Sequence, residues 1–96
     1  MEEEFQVNVF KALAHPIRIK ILKKLAEGEV CVCEINEDIE FSQANLSQHL
    51  KILKDAKIVE AEKRGMFIYY KIKSRKVMDL IRFTEDIYKE ESKLKK

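Results

Sequence analysis

The feature that most constrains this chain is a change of hydrophobic period near residue 55. Leu46, Leu50 and Leu53 recur at the three-to-four-residue spacing of one helical face. Shortly afterwards, Ile58-Val59-Glu60-Ala61-Glu62 and Phe67-Ile68-Tyr69-Tyr70-Lys71-Ile72 are rich in β-branched and aromatic residues. They flank Lys63-Arg64-Gly65-Met66, so this second pattern predicts a β-hairpin with a basic, glycine-containing tip. A chain of 96 residues has room for one small domain with one core. Helix and hairpin must therefore pack on each other.

Upstream, the spacing of Phe5, Val9, Phe10 and Leu13 predicts a first helix over about Glu4 to Ala14. His15-Pro16 interrupts it, and proline suits the first turn of a new helix, where its missing N–H would be unpaired anyway. A second helix follows to about Glu27, with Ile17, Ile21, Leu22 and Leu25 as its apolar stripe and Gly28 as its stop. A short third helix is expected over about Val32 to Ile39, with Ile35 and Ile39 facing inward. After a turn at Glu40-Phe41, Ser42 is placed to cap a fourth helix over about Gln43 to Lys54. Val77, Leu80, Ile81, Thr84, Ile87 and Tyr88 form the stripe of a long last helix. The fold class is α+β and mostly α, with five helices and one hairpin.

Two short helices joined by a tight turn set the second one up to enter the major groove of duplex DNA. On the fourth helix the three leucines share a narrow arc, while Ala44, Gln48 and Lys51 point the other way with Asn45 and Ser47 on the flanks. Gln and Asn can bond base edges; Ser and His can bond phosphate or base. Ser42, Gln43, Ala44, Asn45, Ser47, Gln48, His49 and Lys51 are therefore the candidate DNA-reading residues. Lys63 and Arg64, at the hairpin tip, can reach the adjacent minor groove or the backbone. Charge agrees. The chain carries +2 overall, but nine Lys and Arg against three acids give residues 42–76 a net +6, leaving −4 for the rest. Such a block is a footprint for a polyanion or a solvated lysine-rich surface.

The stretch from Lys11-Ala12-Leu13-Ala14-His15-Pro16-Ile17-Arg18 to Tyr69-Tyr70-Lys71-Ile72 resembles the ArsR/SmtB family of metal-responsive repressors. The resemblance rests on His15-Pro16-x-Arg18, on Ser42-Gln43-x-x-Leu46-Ser47-Gln48-His49-Leu50-Lys51-x-Leu53, and on Gly65…Tyr69-Tyr70. It implies one winged helix-turn-helix domain over residues 1–96. Within it, 1–14 and 74–91 would be dimerisation helices, 32–54 the helix-turn-helix and 58–72 the wing. It implies a homodimer bound to double-stranded operator DNA and released by an inducer. Where the family usually has a glycine before the fourth helix, this chain has Glu40.

Cys31 and Cys33 are the whole thiol inventory. A Cys-x-Cys at the start of the third helix resembles the inducer site of members that respond to soft ions. Arsenite, Cd²⁺, Pb²⁺ or Zn²⁺ are the implied inducers, and no cofactor is required. On a regular helix two residues two apart point about 200° apart, so both sulfurs reach one ion only from extended or distorted backbone. Asn36 stands where arsenic-responsive members often carry a third cysteine. On the last helix Asp79, Glu85 and Asp86 lack the histidines of a zinc site. Against the sensor stand buried apolar thiols, or a redox switch, although a disulfide between such close neighbours closes a strained ring.

His15 is expected to order the corner before Pro16, and His49 to contact phosphate or pack by hydrogen bonding. No apolar run long enough for a membrane span and no basic, apolar leader occur, so a cytoplasmic protein is expected. No nucleophile, base and orienter stand together, which argues against an enzyme. A regulator without a working metal site, a winged-helix module that binds protein, and a small metal-carrying thiol protein are the alternatives.

Overall fold

The computed structural model describes the backbone of residues 1–38 and 43–94, and the side chains of 1–35 and 45–93. The elements run α1 (Glu2–Leu13), α2 (Pro16–Leu25), β1 (Val30–Cys31), α3 (Val32–Asp38), α4 (Gln43–Asp55), β2 (Val59–Arg64), β3 (Phe67–Ile72) and α5 (Lys76–Leu94). All five expected helices and the hairpin are present, with ends shifted by a few residues. Ile39, the Glu40-Phe41 turn and the Ser42 cap lie outside the described residues.

Local chemistry explains the boundaries. Glu2, Glu3 and Glu4 sit in the first turn of α1, where carboxylates oppose the positive end of the helix dipole. His15 takes an extended backbone (φ −157°, ψ 130°) and its Nδ1 accepts from the Ile17 N–H at 3.1 Å. It therefore caps α2, with Pro16 in the first helical position. At the end of α4 the Ile58 N–H donates to the Leu53 carbonyl (3.0 Å) and the Lys57 N–H to the Lys54 carbonyl (3.0 Å). That pair of bonds is a Schellman cap. It places Lys57 in the left-handed region at φ 65°.

The sequence predicted a two-stranded hairpin, and the structure has a three-stranded antiparallel sheet in the order β1-β3-β2. β1 is only two residues long, too short to show a period, and pairs Val30 with Tyr70 and Cys31 with Tyr69. The hairpin tip is also tighter than expected. Arg64 pairs with Phe67, leaving Gly65-Met66 as a two-residue loop. Gly65 alone there has positive φ (61°), the pattern of a type II′ turn with glycine first.

One core joins these pieces. Ile21, Leu22, Leu25, Ile35, Leu46, Leu50, Leu53 and Val59 are its largest fully buried side chains, and α1, β1, β3 and α5 contribute Ala12, Val30, Ile72, Val77 and Ile81. Among the described residues no polar or charged side chain is buried. Each such aliphatic side chain contributes about 1.5–3 kcal/mol. The molecule is nevertheless extended, with a Cα radius of gyration of 14.6 Å against roughly 12.5 Å for a compact chain of this length. α1 and α5 leave apolar side chains uncovered: Phe5, Phe10, Phe83, Ile87 and Tyr88 are all more than half exposed.

Lys57 bears a side chain where glycine is preferred, so Lys57→Gly should raise stability by about 0.5–1 kcal/mol. Urea denaturation at fixed protein concentration reads this. A loss of stability would mean the αL cap is not formed.

Candidate nucleic-acid interface

The leucine stripe decides which way α4 faces. Leu46, Leu50 and Leu53 are at most 1% exposed. With that face pinned, Gln48 and Lys51 are exposed on the opposite side and Asn45 and Ser47 on its flanks. Gln43 and Ala44 belong to the first turn of α4; their side chains, like Ser42, lie outside the described residues. Lys51 points into solvent and its Nζ bonds Asp55 Oδ2 at 2.7 Å, one turn on. That hydrogen bond raises the Lys51 pKa and lowers the Asp55 pKa. The pair is exposed, so a phosphate can replace the carboxylate at little cost.

His49 lies at the edge of the buried face, half-buried. Its Nδ1 is 3.2 Å from Arg18 Nη1, and its ring centroid is 4.5 Å from that of His15. Arg18 Nε donates to the Ala12 carbonyl at 2.7 Å. His15, Arg18 and His49 thus tie the end of α1 and the start of α2 to α4. Burial first, then the nearby His15 and Arg18, hold the His49 pKa below its usual 6.5. The expectation that His15 orders its corner is met in the capping bond, and the packing role expected for His49 is met in the Arg18 contact.

At the wing, Lys63 and Arg64 are both exposed, but Arg64 is engaged. Its Nη2 lies 2.6 Å from Glu29 Oε2 and 2.7 Å from Glu62 Oε1, and its Nε donates to Glu62 Oε1 at 2.9 Å. The guanidinium carbon sits 4.7 Å from the centroid of the Tyr69 ring. The two carboxylates, Glu29 foremost, raise the Arg64 pKa further. Sequence reasoning missed Glu29, which lies 35 residues away from Arg64 and carries no local signal.

The thiols meet where β1 runs into α3. Cys31 ends the strand and Cys33 lies in the first turn of the helix, so the backbone between them is not regularly helical. Cys33 Sγ donates to Cys31 Sγ at 2.7 Å, and the Cys33 N–H points to the same sulfur at 3.4 Å. Cys31 is buried and Cys33 exposed. The bond to Cys31 raises the Cys33 pKa. The strand–helix junction therefore brings both sulfurs to one point. Among the described residues no group of three His, Cys, Asp or Glu side chains forms a complete metal site.

A sheet-backed pair of helices with an exposed polar face and an adjoining hairpin is a winged helix-turn-helix domain. A family profile described as "Bacterial regulatory protein, arsR family" matches residues 15–61. The HTH-type transcriptional regulator MJ1325 of Methanocaldococcus jannaschii is 40% identical over 85 residues, covering 88% of this chain and 96% of that protein. The arsenical resistance operon repressor of Bacillus subtilis is 41% identical over 73 residues, 75% of this chain and 70% of the relative. The structure resembles, with a TM-score of 0.81 and 32% identity, the homodimeric winged helix-turn-helix DNA-binding domain Mb0332 from Mycobacterium bovis, covering 92% of this chain and 82% of that one. The chain belongs to the arsR family of bacterial regulatory proteins. No helix among the described residues is long and apolar enough to cross a membrane.

Because the His49 pKa is depressed in the fold, the unfolded chain takes up its proton first on acidification. Its contribution to stability is complete above about pH 6.5 and is lost as pH falls through the folded value. Between pH 7 and pH 5 the wild type should lose more stability than His49→Gln, whose amide oxygen can still accept from Arg18. Equal losses in thermal melts would contradict this.

Proposed function

We propose that the chain is a dimeric, sequence-specific DNA-binding transcriptional repressor of the cytoplasm, without enzymatic activity, released from its operator by a soft metal or metalloid ion at Cys31 and Cys33. The carrying observation is the exposed polar face of α4, Asn45, Ser47, Gln48 and Lys51, backed by three buried leucines. A rigid helix with its reading side chains outward can lie in a major groove with no change of fold. Gln48 and Asn45 can bond adenine edges, Ser47 and Lys51 phosphate, and Lys63 extends the contact from the wing.

The pairing surface is the exposed apolar side of α1 and α5, within residues 1–14 and 74–91. Phe5, Val9, Ile58, Val77 and Leu80 line a largely apolar groove of about 290 Å³ between these helices. One domain of this size cannot cover it, whereas a second copy can, and Mb0332 is described as homodimeric. Residues 32–54 would then present the helix-turn-helix and 58–72 the wing, once per half-site.

The ion is the inducer, not a resident cofactor. Two sulfurs 2.7 Å apart are a soft donor pair suited to arsenite, Cd²⁺ or Pb²⁺, less so to Zn²⁺. They leave coordination incomplete, so water, a small thiol or a carboxylate must finish it. Binding through both sulfurs would displace both thiol protons, to solvent or to the hydroxides of arsenite as water, and replace the Cys33 S–H···S Cys31 hydrogen bond at the start of α3, the helix that precedes α4. The names of relatives agree: one is an arsenical resistance operon repressor, another a homologue of the cadmium regulator CadC.

Selection of duplexes from a random pool should yield a palindrome whose affinity falls steeply with salt as counterions are released. Gln48→Ala should weaken it by about 1–3 kcal/mol and relax one position per half-site. Phe83→Glu should give a monomer by light scattering and abolish tight binding. Arsenite should release the wild type but not Cys33→Ser. Salt-insensitive binding would support a protein-binding module instead, and release-resistant wild type would remove the sensor while leaving the repressor.

A further inference from the structure

The sheet register places the thiol strand and the wing's arginine in one device. Cys31 on β1, Tyr69 on β3 and Glu62 on β2 are direct cross-strand partners, so their side chains project from the same face of the sheet. That is the face opposite Val30, Tyr70 and Ala61, which form the next cross-strand row. Arg64 lies back over Tyr69, bonded to Glu62 within its own strand and to Glu29, the residue immediately before β1. The Glu29 side chain is 31% exposed and that of Arg64 48%, so the contact is open at the surface and can be broken without unfolding.

We propose that Glu29 is a positioning residue that draws Arg64 back across Tyr69, so that the wing's guanidinium reaches a DNA phosphate only when the strand bearing Cys31 gives it up. The inference rests on the DNA-binding reading alone and is separate from the ion: freeing Arg64 strengthens DNA binding, so it is not the step by which an ion at the thiols would release the operator. Glu62 is a neighbour on the same strand and moves with Arg64. Glu29 belongs to the segment that leads into the thiols. A shift of that segment therefore changes the Glu29 contact and leaves the Glu62 contact in place. Two carboxylates on one guanidinium leave the cluster with a net charge of −1, which is why Arg64 adds little to binding a polyanion while the clamp is closed.

The test is a double-mutant cycle on full-length protein with the selected duplex, measured from 50 to 200 mM salt. Glu29→Gln should tighten binding several-fold and steepen the salt dependence by about 0.9 in log–log slope per half-site, one phosphate contact. In an Arg64→Gln background the same change should do neither, and Arg64→Gln alone should cost little. Glu29→Asp should restore wild-type behaviour. Without DNA, exchange of the Arg64 Nη2 hydrogens with solvent should quicken in Glu29→Gln, while the Nε–H, held by Glu62, should not. An equal effect of Glu29→Gln in both backgrounds would mean a general charge effect and overturn the proposal. Weaker binding in Glu29→Gln would also overturn it, since Glu29 would then present Arg64 to the groove. Failure of the wild type to bind any duplex in a salt-dependent way would sink the DNA-binding reading itself; intact binding with a null cycle would sink only the clamp.

Discussion

Everything that faces outward on α4 does so because Leu46, Leu50 and Leu53 face inward. The three are buried in one core with Ile21, Leu22, Leu25, Ile35 and Val59, and α4 packs on α1, α2 and β2. At about 1.5–3 kcal/mol per side chain, this stripe outweighs any polar contact the helix makes. Exposed ion pairs such as Lys51–Asp55 contribute little, because solvent and salt screen them. The rotation of α4 about its axis is therefore set by apolar packing, and the polar face is left to bind something else. His15, Arg18 and His49 refine that placement, linking the corner between α1 and α2 to the edge of α4.

The wing follows a different logic. Its strands are pinned by the core-facing row Val59, Ala61, Tyr70 and Ile72, while the opposite face carries charge: Glu60, Glu62, Arg64 and Lys71. No single contact there is strong enough to stabilise the fold. Weak contacts of this kind exchange readily. β1 is the joint between the two regimes. Two residues long, it lies against β3 and ends in the thiol that begins the path into α3.

The helices and the hairpin were legible because their apolar spacing is dense and local, and a run such as Leu46-x-x-x-Leu50-x-x-Leu53 admits one reading. The exposed polar face of α4 was legible for the same reason, as the complement of the stripe. β1 was not, since two residues cannot display a period of two; it exists because β3 offers an unpaired edge. The thiol geometry stayed open in the sequence because it depends on where strand becomes helix between Cys31 and Cys33. The state of Arg64 was hidden by distance along the chain. Nothing near the wing tip says that Glu29 will be brought to it, so the sequence showed a free basic tip where the fold has a clamped one.

The central claim is that the exposed face of α4, doubled by a two-fold axis, occupies duplex DNA. Hydroxyl-radical footprinting of the protein on a selected palindromic duplex tests it directly. The account predicts two symmetric protected patches on one side of the duplex, their centres about 34 Å apart, one helical turn. A single patch, or uniform protection without a two-fold centre, would contradict it.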